Sequence, residues 1–219
     1  MPEDHQSDWT IRSEAALREM IGTAEGLAVK KSLPYVDKYC RQFIELSPFL
    51  TIGTQSAAGK ADVSPRGDPA GFVQVLDERT IAIPDRPGNN RLDTLTNILE
   101  NPNVGLIFLV PGFEDTLRIN GKATLSRDPE LLERMTVNNR APKVAIVVKV
   151  EEQFLHCAKA FKRSKLWDPA AQIDRKVMPS IGRVILDQVA EAESTRAVEE
   201  GVKKEVDEAI EENYRTELY

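Results

Sequence analysis

Four short segments carry residues whose types and spacing could hold a negatively charged group. The first is DVSPRGDPAGF, Asp62 to Phe72. Pro65 and Pro69 fix φ and remove amide donors, while Gly67 and Gly71 permit positive φ or close approach to the backbone. Ser64 and Arg66 stand inside this stiff segment, and Arg66 is presented either to a ligand or to Asp62 or Asp68 as a structural partner. The second is DRPGNNRLDTL, Asp85 to Leu95. Here a strand TIAIP runs through Asn89 and Asn90 into a helix expected to begin near Arg91, and a helix start offers free amides and a positive dipole end to a phosphate. Arg91 would add a charge-assisted contact and the asparagines neutral donors; in the plainer reading the three only cap and solvate a first turn. The third is TLRINGKATL, where alternation sends Leu117 and Ile119 to the core and Thr116 and Arg118 to the other face, toward solvent or a polar site. The fourth is HCAKAFKRSKLW, with Lys159, Lys162, Arg163 and Lys165 and no acid among them. One helical turn would set Lys159 and Arg163 on one face, as a binding element or as solvated basic surface. Taken together, these separated cations suit a phosphorylated small ligand better than a polymer.

The elements that must position them are mostly short strands. Two helical stretches open the chain, Glu14 to Met20 behind Ser13 as N-cap and about Pro34 to Leu46, where Val36, Tyr39, Cys40, Phe43 and Ile44 share one apolar face. The period then shortens to FLTIGTQS, a turn AAGK and ADVS, followed by FVQVL, a turn and TIAIP. A helix from Arg91 to Glu100 ends before Pro102. VGLIFLV, the turn PGFED, TLRINGKATL, a short helix capped by Asp128-Pro129 and the strand KVAIVVKV complete the body. Six or more antiparallel strands joined by tight turns, with few helices between them, describe a closed or half-closed barrel and not a doubly wound sheet. The fold class expected is mainly β with flanking helices.

The chain has 219 residues and a net charge of −6. Residues 188 to 219 hold ten acids against four bases and so carry all of that charge, leaving a balanced body. We therefore expect a domain over 1–187 with N-terminal helices and an acidic helical extension over 188–219, with Val198, Val202, Val206 and Ile210 as its apolar stripe on its own body or on a partner subunit. A balanced body lacks the basic face that nucleic acid requires. The opening MPEDHQSDWT has acids and no apolar run, and no later segment has the length to span a bilayer, so a cytoplasmic protein without signal peptide is expected. Cys40 and Cys157 stand far apart in apolar contexts and read as reduced, packed thiols. No GxGxxG, GxxxxGK[ST] or GxSxG motif occurs, the only histidines are His5 and His156, and no carboxylate cluster suggests a metal. Dinucleotide-fold, P-loop, hydrolase and metalloenzyme readings are all weak.

The ordered set SPFLTIGT, DVSPRGDPAGF, IPDRPGNNRLDTLTNILENPNVGLIF, TLRINGKA and HCAKAFKRSKLW, from about Ser47 to Trp167, resembles the FMN-binding split-barrel superfamily of pyridoxamine 5′-phosphate oxidase, in a bacterial oxidase-like flavoprotein branch. The resemblance implies an antiparallel Greek-key split barrel and a homodimer with two FMN molecules between the subunits. It implies that Ser64, Pro65, Arg66 and Gly67 wall the flavin, that the family's Ser-Arg-Lys phosphate site falls on Asn89, Asn90 and Arg91, and that the strand position carrying a glutamine in the oxidase falls on Thr116. One cation remains there of the family's two, with Arg66 or Lys159 to compensate. Arg66 or Arg118 would stand near the polar edge of the ring and Arg163 beside Lys159. The oxidase's C-terminal arginine-histidine motif and tryptophan-arginine-leucine ending have no equivalent in the acidic tail, which implies a small-molecule substrate other than pyridoxamine phosphate. The expected function is an FMN-dependent oxidoreductase, with NADH or NADPH as candidate reductants. The alternatives are a non-catalytic flavin carrier or sensor whose C-terminal arm reports to a partner, and a barrel for another phosphorylated or tetrapyrrole ligand.

Overall fold

The computed structural model describes residues 9–219; His5 and most of the acidic opening lie outside the described residues. Seven strands form one antiparallel sheet: β1 (Phe49–Gln55), β2 (Ala61–Gly67), β3 (Gln74–Asp77), β4 (Thr80–Asp85), β5 (Asn103–Leu109), β6 (Thr116–Ser126) and β7 (Val144–His156). Their order is β2-β1-β5-β6-β7-β4-β3. The hairpins β1–β2, β3–β4 and β5–β6 join sequence neighbours, whereas the links from β2 to β3 and from β4 to β5 cross between the two wings of the sheet. The sheet does not close by backbone pairing, and this is the split barrel.

Inward-facing residues make one core. Leu50, Ile52, Ile81, Ile83, Leu106, Phe108, Leu117, Ile119, Ile146 and Val148 are all fully or almost fully buried. Each such side chain contributes about 1.5–3 kcal/mol relative to exposure, so the sheet's curvature is set by where these aliphatics must meet. The helix α3 (Lys38–Leu46) closes one end with Cys40, Phe43 and Ile44, and Phe43 meets Phe113 edge-on at 6.1 Å. Asp37 caps α3 by accepting from the Cys40 amide at 2.7 Å, so the helix starts at Lys38 and not at Pro34. Burial pushes the Cys40 thiol up to about 12, which makes it inert packing, whereas Cys157, expected to be packed as well, is exposed just past the end of β7.

Helix α4 (Asp93–Glu100) lies on β1 and β6, where Asn97 donates to Thr54 at 3.0 Å. Helix α5 (Pro129–Arg134) has the expected cap, Asp128 accepting from the Glu130 amide. Before the sheet stand α1 (Glu14–Ile21), capped by Ser13, and the single turn α2 (Leu27–Lys30). After β7 come α6 (Lys159–Ser164), α7 (Ile181–Ala192) and α8 (Glu200–Thr216). The C-terminal arm is therefore a helical hairpin where one acidic helix was expected, and α7 runs through the expected boundary at 187/188. The chain turns at Ser194, whose φ is 53°. The apolar stripe serves the hairpin itself: a Cβ on Gly182 of α7 would stand 3.0 Å from Val206 and 3.1 Å from Ile210 of α8.

The run before α3 is tied to β7 through Leu33, which bridges Gln153, and through Glu152, which accepts from Ser32 at 2.6 Å and Asn120 at 2.7 Å. Those two hydrogen bonds hold the Glu152 carboxyl below its ordinary value, the Ser32 bond foremost. A carboxyl whose folded value is depressed stabilises above its unfolded value near 4.5 and loses that contribution as the pH falls through the folded one. We expect Glu152→Gln to lower the thermal midpoint at pH 7, with the gap to wild type shrinking toward zero by pH 3. An equal gap at both pH values would show that the charge of Glu152 is not what the network uses.

Candidate functional site

The two wings of the sheet meet at one end through side chains alone. Strand β2 pairs only with β1, and β3 pairs with β4 no further than Ala82, which leaves the end of β4 facing β2 across the split. Each wing supplies one arginine and one aspartate. Arg66 at the end of β2 donates through Nη1 to Asp85 at the end of β4, and Arg86 donates through Nε to Asp68 at 2.6 Å in the opposite sense. The pairs are largely buried, with side-chain exposures of 16% and 21% for the first and 13% and 1% for the second. Arg86 also donates to the Met135 carbonyl at 2.7 Å. Arg66 is thus partnered by neither Asp62 nor Asp68; Asp62 instead accepts from Thr94 at 3.3 Å and anchors α4 to β2. The segment that reads as a constrained loop is strand as far as Gly67. Pro65 is tolerated because β2 is an edge, where a missing amide donor costs no ladder bond.

Beside this clasp runs a groove of about 1300 Å³ between β2, the β4–α4 loop, the loop preceding β7 and the last two residues of the chain. Ser64, Pro65, Arg66, Gly67, Asn89, Asn90 and Arg91 all line it, so seven of the eleven expected site residues come together. The helix α4 starts at Asp93, two residues later than expected. Its N-cap, Leu92, makes no side-chain capping bond, and the first turn, Leu92 to Leu95, lines the groove. Asn89 accepts from the Arg91 amide at 3.1 Å, and the Arg91 Nε donates to Asp93 at 2.7 Å. This pair is well exposed, and the Asp93 hydrogen bond and charge hold the Arg91 guanidinium even more firmly protonated than usual. Asn90 and Leu92 have φ of 57° and 60°. Left-handed backbone in a leucine costs about 1–3 kcal/mol and gathers at ligand sites.

Thr116, Arg118, Lys159 and Arg163 do not line the groove. Thr116 is buried opposite His156 at the start of β6, and Arg118 lies over the Phe154 ring at 5.1 Å. Lys159 and Arg163 stand on the short helix α6, whose Lys162 pairs with Glu114. The groove instead gains cations that sequence reasoning passed over. Arg86, Arg140 and Lys143 line it, which gives five cations with Arg66 and Arg91 against Asp62, Asp85 and Asp93. A signal for Arg140 was present: residues 138–140 repeat the Asn-Asn-Arg of 89–91, and Asn138 and Asn139 have positive φ, 51° and 60°, as Asn90 does in the first copy. Nothing in the sequence pointed to Tyr219.

A phosphate-bearing cofactor fits these residues. The Arg66 Nε is buried with no hydrogen-bond partner, and Nη1 alone of its nitrogens is engaged. A buried guanidinium N–H without an acceptor is costly, and an anion in the groove would relieve it. Among the described residues Lys143 has no ion-pair partner and is exposed at the rim. No group of ligands for a metal ion is found among the described residues, and no helix among them is long and apolar enough to cross a membrane.

Similar folds occur in solved structures at low identity. The Group A Streptococcus protein HupZ is 17% identical over 55% of this chain and 93% of its own, with a TM-score of 0.45. An FMN-binding protein from Syntrophomonas wolfei is 12% identical over 66% and 96%, with 0.42. General Stress Protein 26 from Bacillus anthracis is 14% identical over 53% and 93%, with 0.41. None of the curated proteins compared matches the chain. The family model described as pyridoxamine 5′-phosphate oxidase matches residues 36–157, a span with every strand and every groove residue except Leu218 and Tyr219, and the chain belongs to that family.

Proposed function

We propose that this protein binds FMN in the groove and serves as an oxidoreductase for a small molecule other than pyridoxamine phosphate. The observation that carries the reading is the orphaned, buried Nε of Arg66 in a cationic groove beside an uncapped helix start. In this reading the phosphate takes the open amides of α4 and the guanidinium of Arg91, which exchanges Asp93 for the ligand. That exchange costs little, because an exposed ion pair is worth little. Arg66 keeps Asp85 on Nη1 and turns its free nitrogens to the ligand, while Ser64, Pro65 and Gly67 form a narrow wall for the ring. The bound flavin supplies the electron chemistry, and the protein contributes position and charge.

The reading includes a second copy of the chain. The outward face of the sheet carries Val63, 68% exposed, and Ile107, 40% exposed, beside the adjacent glycines Gly53 and Gly105. Pro65, Thr51, Ile107 and Arg118 lie in register on this face across four strands. A homodimer through it would bring the Arg118 end of one subunit to the groove of the other, which accounts for Thr116, Arg118, Lys159 and Arg163 standing apart within one chain.

The expected result is a yellow protein of twice the 24.5 kDa chain mass in sedimentation that releases FMN on denaturation. Arg66→Ala with Arg91→Ala should weaken FMN retention about 100-fold, as expected for two charge-assisted contacts; because Arg66→Ala also strands the partly buried Asp85, retention is read below the variant's thermal midpoint, and the exposed Arg91→Ala alone should weaken it about 10-fold with an unchanged circular dichroism spectrum. Full occupancy in the double variant would refute the phosphate assignment, and a colourless wild type that takes up no added FMN would refute the reading. Anaerobic bleaching by NADH or NADPH with reoxidation in air then separates an oxidoreductase from a carrier.

A further inference from the structure

Residues 218 and 219 lie more than sixty positions beyond the span matched by the family, yet they end in the groove. Three groups from three parts of the fold hold Tyr219. Its phenol donates to Asp68 Oδ1 at 2.7 Å, on the carboxylate whose other oxygen takes Arg86. Its ring lies 5.4 Å from the Arg86 guanidinium, and Arg140 donates to its main-chain oxygen. The tail thus occupies two of the groove's five cations.

The arm that delivers it is braced on itself. Arg183 pairs with Glu200 and with Asp207 at 3.0 Å, Ser180 donates to Asp207 at 2.5 Å, and Lys203 pairs with Asp187 at 2.6 Å, each joining α7 or its cap to α8 or its start. The helices α7 and α8 find their main packing partner in each other. A hairpin that is stiff internally and fastened at its tip by a few hydrogen bonds moves as a unit when the tip lets go.

We propose that Tyr219 is a latch that keeps the groove partly covered, and that its release from Asp68, Arg86 and Arg140 admits the phosphorylated cofactor. This rests on the flavin reading above. The latched chain is then the weaker-binding state, and ligand binds faster and more tightly as the open fraction rises. The hydrogen bond to Asp68 and burial hold the phenol above its ordinary value near 10, in keeping with a protonated donor facing a carboxylate.

The test follows FMN uptake by apoprotein through quenching of flavin fluorescence. Tyr219→Ala and a chain lacking Leu218 and Tyr219 should associate with FMN about tenfold faster than wild type. Tyr219→Phe, which keeps the ring and loses the Asp68 bond, should fall between. Alkaline titration gives a cofactor-free readout: the phenol absorbance step that Tyr219→Phe removes should lie above pH 10 in wild type and move down in Asp68→Asn. Equal or slower association in both tail variants, or a removed step at or below pH 10, overturns the latch. If wild type takes up FMN and the variants do so no faster, the latch alone fails. If no form takes up FMN, the flavin reading fails and the gate falls with it.

Discussion

Asp68→Ala is expected to destabilise the protein by about 3–5 kcal/mol, the cost of breaking a buried ion pair from one side. The Asp68 side chain is 1% exposed and its partner Arg86 only 13%. Without Asp68, Arg86 keeps the Met135 carbonyl and loses its counter-charge while its side chain stays only 13% exposed. The link that fails also spans the split, where no backbone ladder shares the load between β2 and β4. Arg86→Ala should cost a similar amount, since it leaves a buried carboxylate with the Tyr219 hydroxyl as its remaining partner. The double variant should then be less unstable than the sum of the two by about 0.5–3 kcal/mol, because it leaves neither charge stranded. Urea unfolding of the four proteins measures this directly. A loss below about 1 kcal/mol for Asp68→Ala would place the pair among surface ion pairs and remove the clasp from the account of the fold. The exposed pair Arg91–Asp93 is the internal contrast, and breaking it should leave stability almost unchanged.

The clasp also marks what a sequence can and cannot disclose about this site. Alternation of apolar residues locates β1, β4, β5 and β7 because each strand buries one face, and that signal is local. The partner of Arg66 is not local. Asp85 lies 19 positions away on a strand that is not adjacent in the sheet, so the choice among Asp62, Asp68 and Asp85 is made by the closure of the barrel. Element starts were misplaced where two start signals compete: Pro34 and Asp37 both suit the opening of α3, and Asp37 prevails because its side chain satisfies an otherwise free amide. The same holds at α4, where Arg91 is bound into an asparagine turn and the helix waits for Asp93. The break between α7 and α8 falls at Ser194 without glycine or proline, so an unbroken helix was the natural expectation. The groove was half legible, because its loops are written in Pro, Gly and Asn. Tyr219 was not, because its role depends on a hairpin folding back across the whole chain.

The second large effect belongs to a residue with no side chain at all. Gly121 sits in β6 where the pairing with β7 slips: Asn120 faces Glu152 while Gly121 faces Val150, so Glu151 is the extra residue of a bulge. A Cβ at Gly121 would stand 2.1 Å from the Lys149 carbonyl oxygen and 3.0 Å from its carbon. Both atoms are backbone in the strand that makes the most extensive pairing of the sheet, so neither can turn aside as a flexible side chain would. Gly121→Ala must therefore push β6 and β7 apart at their centre, and overpacking with lost ladder bonds should cost about 3 kcal/mol or more. Gly201→Ala is the control, since nothing lies within 4 Å of a Cβ there and the position is helical; it should stabilise by about 0.4–1 kcal/mol. The bulge also sets how the outer half of β6, with Thr116 and Arg118, is angled against its inner half. If the homodimer uses that outer half, Gly121→Ala should weaken FMN retention as well as stability, although Gly121 lines no part of the groove. A thermal midpoint equal to wild type for Gly121→Ala would mean that the two strands are free to separate there, and the rigid bulge would no longer explain where Arg118 is held.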